Sequence, residues 1–179
     1  MRSYSSVNVM EEYLEKPKGF AGRFINAFSR NAKVQLEIML PARLYLKGEL
    51  ITETVSEKTE SNFSQSDLVD LLTEELLEYY SLNPNPIKLN RTLKDISSLP
   101  IIQRYYRYSK GNLTPVSIRL PKKTVFRLEM LLADVDEIEE QQTPFTVEHL
   151  LEMQYVNYMN DLIRGTKEDS VRRIIRKLK

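Results

Sequence analysis

The sequence contains no cysteine and only one histidine, His149, among 179 residues. The absence of cysteine excludes disulfides, thiolate nucleophiles and most structural zinc sites. A lone histidine excludes histidine-based metal clusters and nearly all catalytic triads, and we expect it to be an ordinary surface residue. The chain has only five glycines and no phosphate-binding glycine loop. We therefore expect a protein that is not an enzyme, with no metal, no cofactor and no small-molecule substrate.

Long apolar runs are also missing. No stretch approaches the roughly 18 apolar residues that a membrane-spanning helix needs. The first residues, MRSYSSVNVMEEYLEK, carry acids where a signal peptide needs an apolar segment. The hydrophobic content of 41% is nevertheless sufficient for a buried core. These features predict a soluble cytoplasmic protein without a membrane partner.

Neither sign of charge is in clear excess, because the net charge is only +1, but positive and negative residues are separated along the chain. Residues 41–82 carry three bases and nine acids, a net charge of −6. Residues 83–124 carry nine bases and one acid, a net charge of +8. The total alone would predict no nucleic-acid partner, whereas this distribution indicates separate acidic and basic surfaces.

The chain contains an internal repeat. The segment VQLEIMLPARLYLKGELITETV aligns with VSIRLPKKTVFRLEMLLADV when Pro41 is placed on Pro121, an offset of 80 residues. Further along, NFSQSDLVDLL aligns with PFTVEHLLEMQ when Phe63 is placed on Phe145, an offset of 82 residues. Two additional residues between the aligned segments of the second copy account for the difference.

Within each copy the apolar period changes from two to nearly four, which predicts a strand followed by two helices. Alternating apolar side chains form the first strand, which Pro41 ends. The second helix is predicted to begin at Ser64 in the first copy and at Thr146 in the second, each as an N-cap. Because both strands have the same phase, we expect Ile38 and Ile118 on the inner faces of two paired antiparallel strands.

The segments LEIMLP and VSIRLP, followed by FSQSDLV and FTVEHLL, resemble the ribbon-helix-helix family of Arc- and MetJ-type repressors. The resemblance covers residues 33–82 and 114–165. It implies a mainly α fold with a short two-stranded antiparallel β-ribbon, formed by two ribbon-helix-helix units in one chain as a pseudo-dimer. One unit cannot bury its own apolar face, so two copies would complete the fold. In that family the ribbon enters the major groove of DNA.

Three further segments complete the predicted organisation. Residues 1–32 form a partly helical N-terminal arm, in which GFAGRFINAFSRN has the spacing of a docking helix. Residues 83–113 form a basic linker, whose NPNP sequence disfavours regular structure. Residues 166–179 form a basic amphipathic tail that we expect to be a frayed, solvated helix. Contact with DNA, an acidic partner or a membrane surface is the alternative for this tail.

The resemblance also implies a set of DNA-contacting residues. Side chains pointing outward from the ribbon would face bases: Gln35, Glu37, Met39, Ser117 and Arg119. Arg119 suits guanine and Gln35 suits adenine, whereas Glu37 and Met39 depart from the family's usual basic or polar residues. Phosphate contacts would come from Lys33, Ser64, Lys122, Lys123 and Thr146. The alternatives are a solvated sheet face, simple helix caps and ordinary surface lysines.

The resulting hypothesis is sequence-specific binding of double-stranded DNA, as a transcriptional regulator or as a plasmid partition or relaxosome accessory protein. Two chains would associate on adjacent sites. The alternative is a helical adaptor or antitoxin-like protein that uses the same core only for association. The acidic helices and Glu37 favour this alternative, whereas the basic linker, Arg119 and the Lys122–Lys123 pair oppose it.

Overall fold

The computed structural model describes residues 2–15, 32–82, 85–100, 102–103, 112–139, 144–165 and 170–178. The predicted docking helix at 19–31 and residues 104–111 of the linker lie outside these ranges. The helices are α1 (Val9–Glu15), α2 (Ala42–Thr59), α3 (Gln65–Leu82), α4 (Pro86–Ser98), α5 (Lys122–Glu139), α6 (Val147–Ile163) and α7 (Ser170–Leu178); the strands are β1 (Lys33–Pro41) and β2 (Leu113–Pro121). No described helix is long and apolar enough to cross a membrane.

The two strands form an antiparallel sheet that runs from the pair Lys33–Pro121 to the pair Pro41–Leu113. Ile38 and Ile118 are fully buried on its inner face, which confirms the prediction from the alternating pattern. This outcome follows from the strand period of two, because every second side chain of each strand points into the core. The described part of the chain is thus mostly helical with one two-stranded antiparallel sheet, as expected.

Both copies of the sequence repeat fold into the same order of elements, a strand followed by two long helices. The second helix of each copy packs against the strand of the other copy, so α3 contacts β2 and α6 contacts β1. Leucine and valine side chains from both copies form one core, with Leu44, Val55, Leu68, Val125, Leu128, Leu132, Leu150 and Val156 all almost completely buried. The strands therefore rest on helices from both halves of the chain.

A close approach between α2 and α6 depends on Gly48. A Cβ atom at this position would lie 1.8 Å from the hydroxyl of Tyr155, far inside van der Waals contact. The Tyr155 hydroxyl donates to Oε1 of Gln65 at 3.0 Å. Burial raises the pKa of Tyr155 well above its ordinary value, so this hydroxyl remains a donor. Gly48 thereby makes room for a buried contact that links α2, α3 and α6.

The N-terminal arm is held on α5 by Glu129, a fully buried acid that sequence analysis did not single out. Its carboxylate accepts from the Ser5 hydroxyl and from the backbone N–H groups of Val9, at 3.0 Å, and Met10, at 2.5 Å. The two N–H groups belong to the first turn of α1, where the helix dipole also favours an anion. Arg2 adds an ion pair with Asp136 at 2.6 Å. The buried acid is therefore satisfied by the arm that it holds.

The linker is more regular than the sequence suggested. The helix α4 has Asn85 as its N-cap and Pro86 at its first position. Proline is well suited to this position because its missing N–H would have no helical partner there. Leu89 and Leu93 are buried, and α4 packs against α5 and α6. The linker therefore contains a helix over residues 86–98 that sequence analysis did not predict.

The basic tail is docked rather than frayed. Ile174 of α7 is only 2% exposed, and α7 packs against α2. Arg173 and Lys177 form ion pairs with Glu75 of α3, at 3.2 and 2.9 Å. The expectation of a solvated helix was wrong because the apolar side of this amphipathic segment finds a surface formed by earlier helices.

Candidate nucleic-acid interface

The outer face of the sheet brings together all the side chains that were predicted to face bases. Gln35, Glu37, Ser117 and Arg119 are exposed, and Met39 is partly exposed. Lys33, predicted to bind phosphate, is exposed at the end of the same face. The face follows from the burial of the alternate residues, which fixes these side chains on the opposite side. We call this surface the ribbon face: Lys33, Gln35, Glu37, Met39, Ser117 and Arg119.

The ribbon face has a defined register. Gln35 lies opposite Arg119, Glu37 lies opposite Ser117, and Met39 lies opposite Pro115. Side chains directly opposite one another on a sheet face are close enough to act together on one ligand. The face therefore presents a guanidinium, an amide and a hydroxyl around a central carboxylate, with a second cation from Lys33.

Both edges of the sheet are occupied by helix side chains. The Met39 N–H donates to Oε1 of Glu152 on α6 at 2.7 Å. The Arg119 N–H donates to Oγ of Ser66 on α3 at 3.0 Å. These bonds engage backbone groups that could otherwise pair with another strand. They also tie each strand to the second helix of the other copy.

Ser64 caps α3 as predicted, but an acid shares the site. The Ser64 hydroxyl accepts from the Asp67 N–H at 3.3 Å. In return, the Ser64 N–H and hydroxyl donate to Oδ2 of Asp67, at 2.8 and 2.6 Å. This reciprocal arrangement is a capping box. Its carboxylate lies where a phosphate would approach the helix terminus, so the geometry favours capping at Ser64.

The first turn of α6 is covered by the N-terminal arm. Thr146 caps the helix by accepting from the His149 N–H at 3.3 Å. The Val147 N–H donates to the carbonyl oxygen of Tyr4 at 2.7 Å. The Ser6 N–H donates to Oε1 of Glu148 at 2.7 Å. The predicted phosphate contact at Thr146 is therefore already partly occupied by a segment that sequence analysis did not connect to it.

The two lysines that follow β2 have different surroundings. Lys122 forms an ion pair with Glu12 of α1, and its side chain is only 12% exposed. Lys123 is exposed. The structure thus leaves Lys123 as the accessible cation of the pair, whereas Lys122 would have to exchange Glu12 for a phosphate.

Asp70 on α3 is an acid in an unfavourable position. Its Oδ1 is buried without a hydrogen-bond partner. Burial and, to a lesser degree, the nearby Glu74 raise its pKa from 3.8 to about 6. Glu152 occupies the equivalent place in the second copy, and its carboxylate accepts from a strand N–H. The equivalent strand N–H for Asp70 belongs to Arg119 and is donated to Ser66 instead.

A polar groove of about 500 Å³ lies beside the ribbon face, where the start of α3 approaches β2. Its hydroxyl and amide groups include those of Asn62, Ser64, Gln65, Ser66, Thr114 and Ser117. The Ser64 hydroxyl and the Gln65 amide already donate within the protein, to Asp67 and to the Tyr45 carbonyl oxygen. Glu49 also lines the groove, which therefore extends the ribbon face as a polar surface and not as an anion site.

Comparisons with family models, curated proteins and solved structures gave no significant match to this chain. Function is therefore inferred from the residues and their geometry alone.

Proposed function

We propose that the chain is a ribbon-helix-helix pseudo-dimer that binds double-stranded DNA by inserting the ribbon face into the major groove. The observation that carries this proposal is the register of the sheet. The repeat places Glu37 on Ser117, at an offset of 80 residues, and the same two residues pair across the strands. This register is the one that a local two-fold axis through the centre of the ribbon face would produce, as in a dimer of ribbon-helix-helix chains, and it supports the proposal.

The ends of the ribbon support the same symmetry. The Ala42 N–H donates to the carbonyl oxygen of Asn112 at 2.9 Å, and the Lys122 N–H donates to that of Ala32 at 2.8 Å. The repeat places Ala42 on Lys122 and Ala32 on Asn112, so the two hydrogen bonds are equivalent. The packing of α3 on β2 and of α6 on β1 is likewise reciprocal. A two-stranded ribbon whose inner face packs on helices and whose outer face is exposed fits the width of the major groove.

The side chains on this symmetric frame are not symmetric. Arg119 corresponds to Met39, and Gln35 corresponds to Pro115, so each half of the ribbon face carries different chemistry. Arg119 is suited to the two acceptors of guanine, and Gln35, directly across from it, is suited to adenine. We therefore propose that the preferred site is not palindromic and that its specificity comes mainly from the Gln35–Arg119 end.

Phosphate contacts are proposed chiefly for Lys33 and Lys123, which are both exposed. Ser64 and Thr146 would contribute less, because Asp67 and the N-terminal arm already occupy their helix termini. Few strong phosphate contacts imply modest non-specific affinity. The same ribbon would serve a transcriptional regulator, a partition protein or a relaxosome component.

A second candidate function is association without DNA, as an adaptor or antitoxin-like protein. The observation that favours it is the exposed carboxylate of Glu37 at the centre of the ribbon face. A carboxylate in the major groove can accept from cytosine, but it is repelled by the flanking phosphates. Asp67 at the start of α3 adds to this repulsion.

Titration of a labelled pool of random DNA duplexes at several salt concentrations separates the two candidates. If Lys33 and Lys123 each neutralise one phosphate, the logarithm of the binding constant should fall with the logarithm of salt with a slope near −2. Lys123→Ala should make the slope shallower by about 0.9, and Arg91→Ala, which removes an exposed cation on α4, should leave it unchanged. No binding at low salt would favour the association function.

A further inference from the structure

Helix α2 exposes two leucines on the side that faces away from the core. Leu46 is 61% exposed and Leu50 is 63% exposed. Exposed Arg43 and Glu53 lie three residues before and three residues after them. Spacings of three, four and three place all four side chains along one line on a helix surface. We call this line the α2 stripe: Arg43, Leu46, Leu50 and Glu53.

The equivalent surface in the second copy is only partly covered, because Met130, which the repeat places on Leu50, is itself 40% exposed. The repeat places Leu46 on Phe126 of α5. Phe126 packs against Tyr13 of α1, with the two ring centroids 4.6 Å apart. The chain thus supplies a helix for this surface of α5, whereas among the described residues none covers Leu46 or Leu50 to a comparable degree.

We propose that the α2 stripe binds the α2 stripe of a second copy of this chain, with the two helices antiparallel. If the two-fold axis crosses α2 at the level of Gly48, Leu46 and Leu50 are two residues before and after the axis. Leu46 of each copy then faces Leu50 of the other. Arg43 and Glu53 are five residues before and after the same axis, so each Arg43 faces Glu53 of the other copy.

Charge complementarity identifies the occupant as a second copy. Neither Arg43 nor Glu53 has an ion-pair partner within the described ranges. The register in which the leucines of the two copies face each other also places each Arg43 opposite Glu53 of the other copy. An unrelated helix would match this pattern only by chance. Contacts of this kind are isologous, because the same surface is used on both sides.

The contact is weak and transient. Only two leucines per copy are buried, so the interface is smaller than that of stable dimers. Lys47 and Glu49 lie on either side of the α2 stripe. In the dimer each would approach the same residue of the second chain and be repelled by its like charge. Association therefore requires high protein concentration, and it does not depend on DNA binding.

Charge reversal tests the pairing by sedimentation equilibrium without DNA, at protein concentrations up to about 1 mM, where weak contacts are populated. Wild-type protein should form dimers. Arg43→Glu alone and Glu53→Arg alone should each weaken dimerisation at least tenfold, because each faces like charges across the axis. An equimolar mixture of the two variants should form heterodimers, since every cation then faces an anion. The double variant should dimerise like wild type.

Matched controls separate the proposed register from a general charge effect. Arg91→Glu mixed with Glu78→Arg makes the same charge changes on exposed residues of α4 and α3, and neither control alone nor their mixture should alter dimerisation. Leu50→Ser should weaken dimerisation at least tenfold, whereas Leu82→Ser, at a residue that is 74% exposed on α3, should not. If a charge variant does not fold, the comparison of Leu50→Ser with Leu82→Ser still tests whether the α2 stripe forms the dimer contact. A monomeric wild type, or a mixture that associates no more than its components, would overturn the proposal.

Discussion

Replacing Asp70 by asparagine should stabilise the protein at neutral pH. The carboxyl ionises at a pKa of about 6 in the folded protein, against an ordinary value of 3.8. Because the folded state disfavours the charged form, stability falls as pH rises through this interval, and the full cost is present above about pH 6. At roughly 1.36 kcal/mol per pH unit the cost would approach 3 kcal/mol. Asp70 is only partly buried, so solvent screening reduces it to about 1 kcal/mol.

Thermal unfolding followed by circular dichroism measures this effect. A gain of about 1 kcal/mol should raise the Tm of Asp70→Asn by about 2–4 °C at pH 7.5. Near pH 4, where the carboxyl of wild type is protonated in the folded state, the two proteins should have nearly equal Tm values. Asp67→Asn is the matched control, because the same charge is removed from a capping carboxylate, and it should lower the Tm at pH 7.5. A pH-independent gain for Asp70→Asn would refute the reasoning.

Two further changes have expected outcomes. Gly48→Ala should lower the free energy of unfolding by about 1–3 kcal/mol through overpacking. Adding Tyr155→Phe in the same chain should recover part of this loss in denaturant unfolding, because it removes the hydroxyl that the new methyl group meets. Strictly additive losses would show that this contact is not the cause. Glu12→Gln should release Lys122 to bind phosphate, so the slope of the logarithm of the DNA-binding constant against the logarithm of salt should become steeper by up to about 0.9. Glu11→Gln makes the same charge change and should steepen this slope less. Equal effects of the two variants would indicate that net charge alone is responsible.

The strands and the helix caps were predictable because they are determined by nearby residues. The alternation around Ile38 and Ile118 fixes which side of each strand is apolar, and both strands have the predicted phase. Ser64 and Thr146 satisfy N–H groups only three residues away, so a short sequence window contains both partners. The two-residue difference between the repeat offsets did not obscure this pattern.

The contacts of the N-terminal arm were not predictable from the same information. The partners of Glu129 precede it by about 120 residues, and no local pattern pairs them. One indication was present, because Glu129 follows Val125 by four residues and precedes Leu132 by three, which places an acid on an apolar helix face. The ion pair of Lys122 with Glu12 depends on the same docking. Sequence reasoning therefore located the ribbon face but not the segment beside it.

Apolar sides of short helices present a related difficulty. The segment around Ile174 and the helix that begins at Pro86 are both amphipathic, but the surfaces that bury them are assembled from distant elements. An amphipathic pattern indicates that a surface will be covered without identifying what covers it. The tail was consequently expected to be frayed, and the helix that begins at Pro86 was not predicted.

The most direct test of DNA reading by the ribbon face is the sequence preference of Arg119→Ala, measured by selection from a random duplex pool and by titration of the preferred site. Arg119 is exposed on the ribbon face and hydrogen-bonds to α3 only through its backbone N–H, so its side chain can be removed without disturbing the edge contact. The account predicts a loss of about 1–3 kcal/mol on the preferred site and relaxed discrimination at one base position. Lys122→Ala should instead weaken all sequences equally, and by less than a full phosphate contact, because Glu12 already engages that lysine. A folded Arg119→Ala protein with unchanged affinity and unchanged sequence preference would contradict the proposal that this face reads DNA.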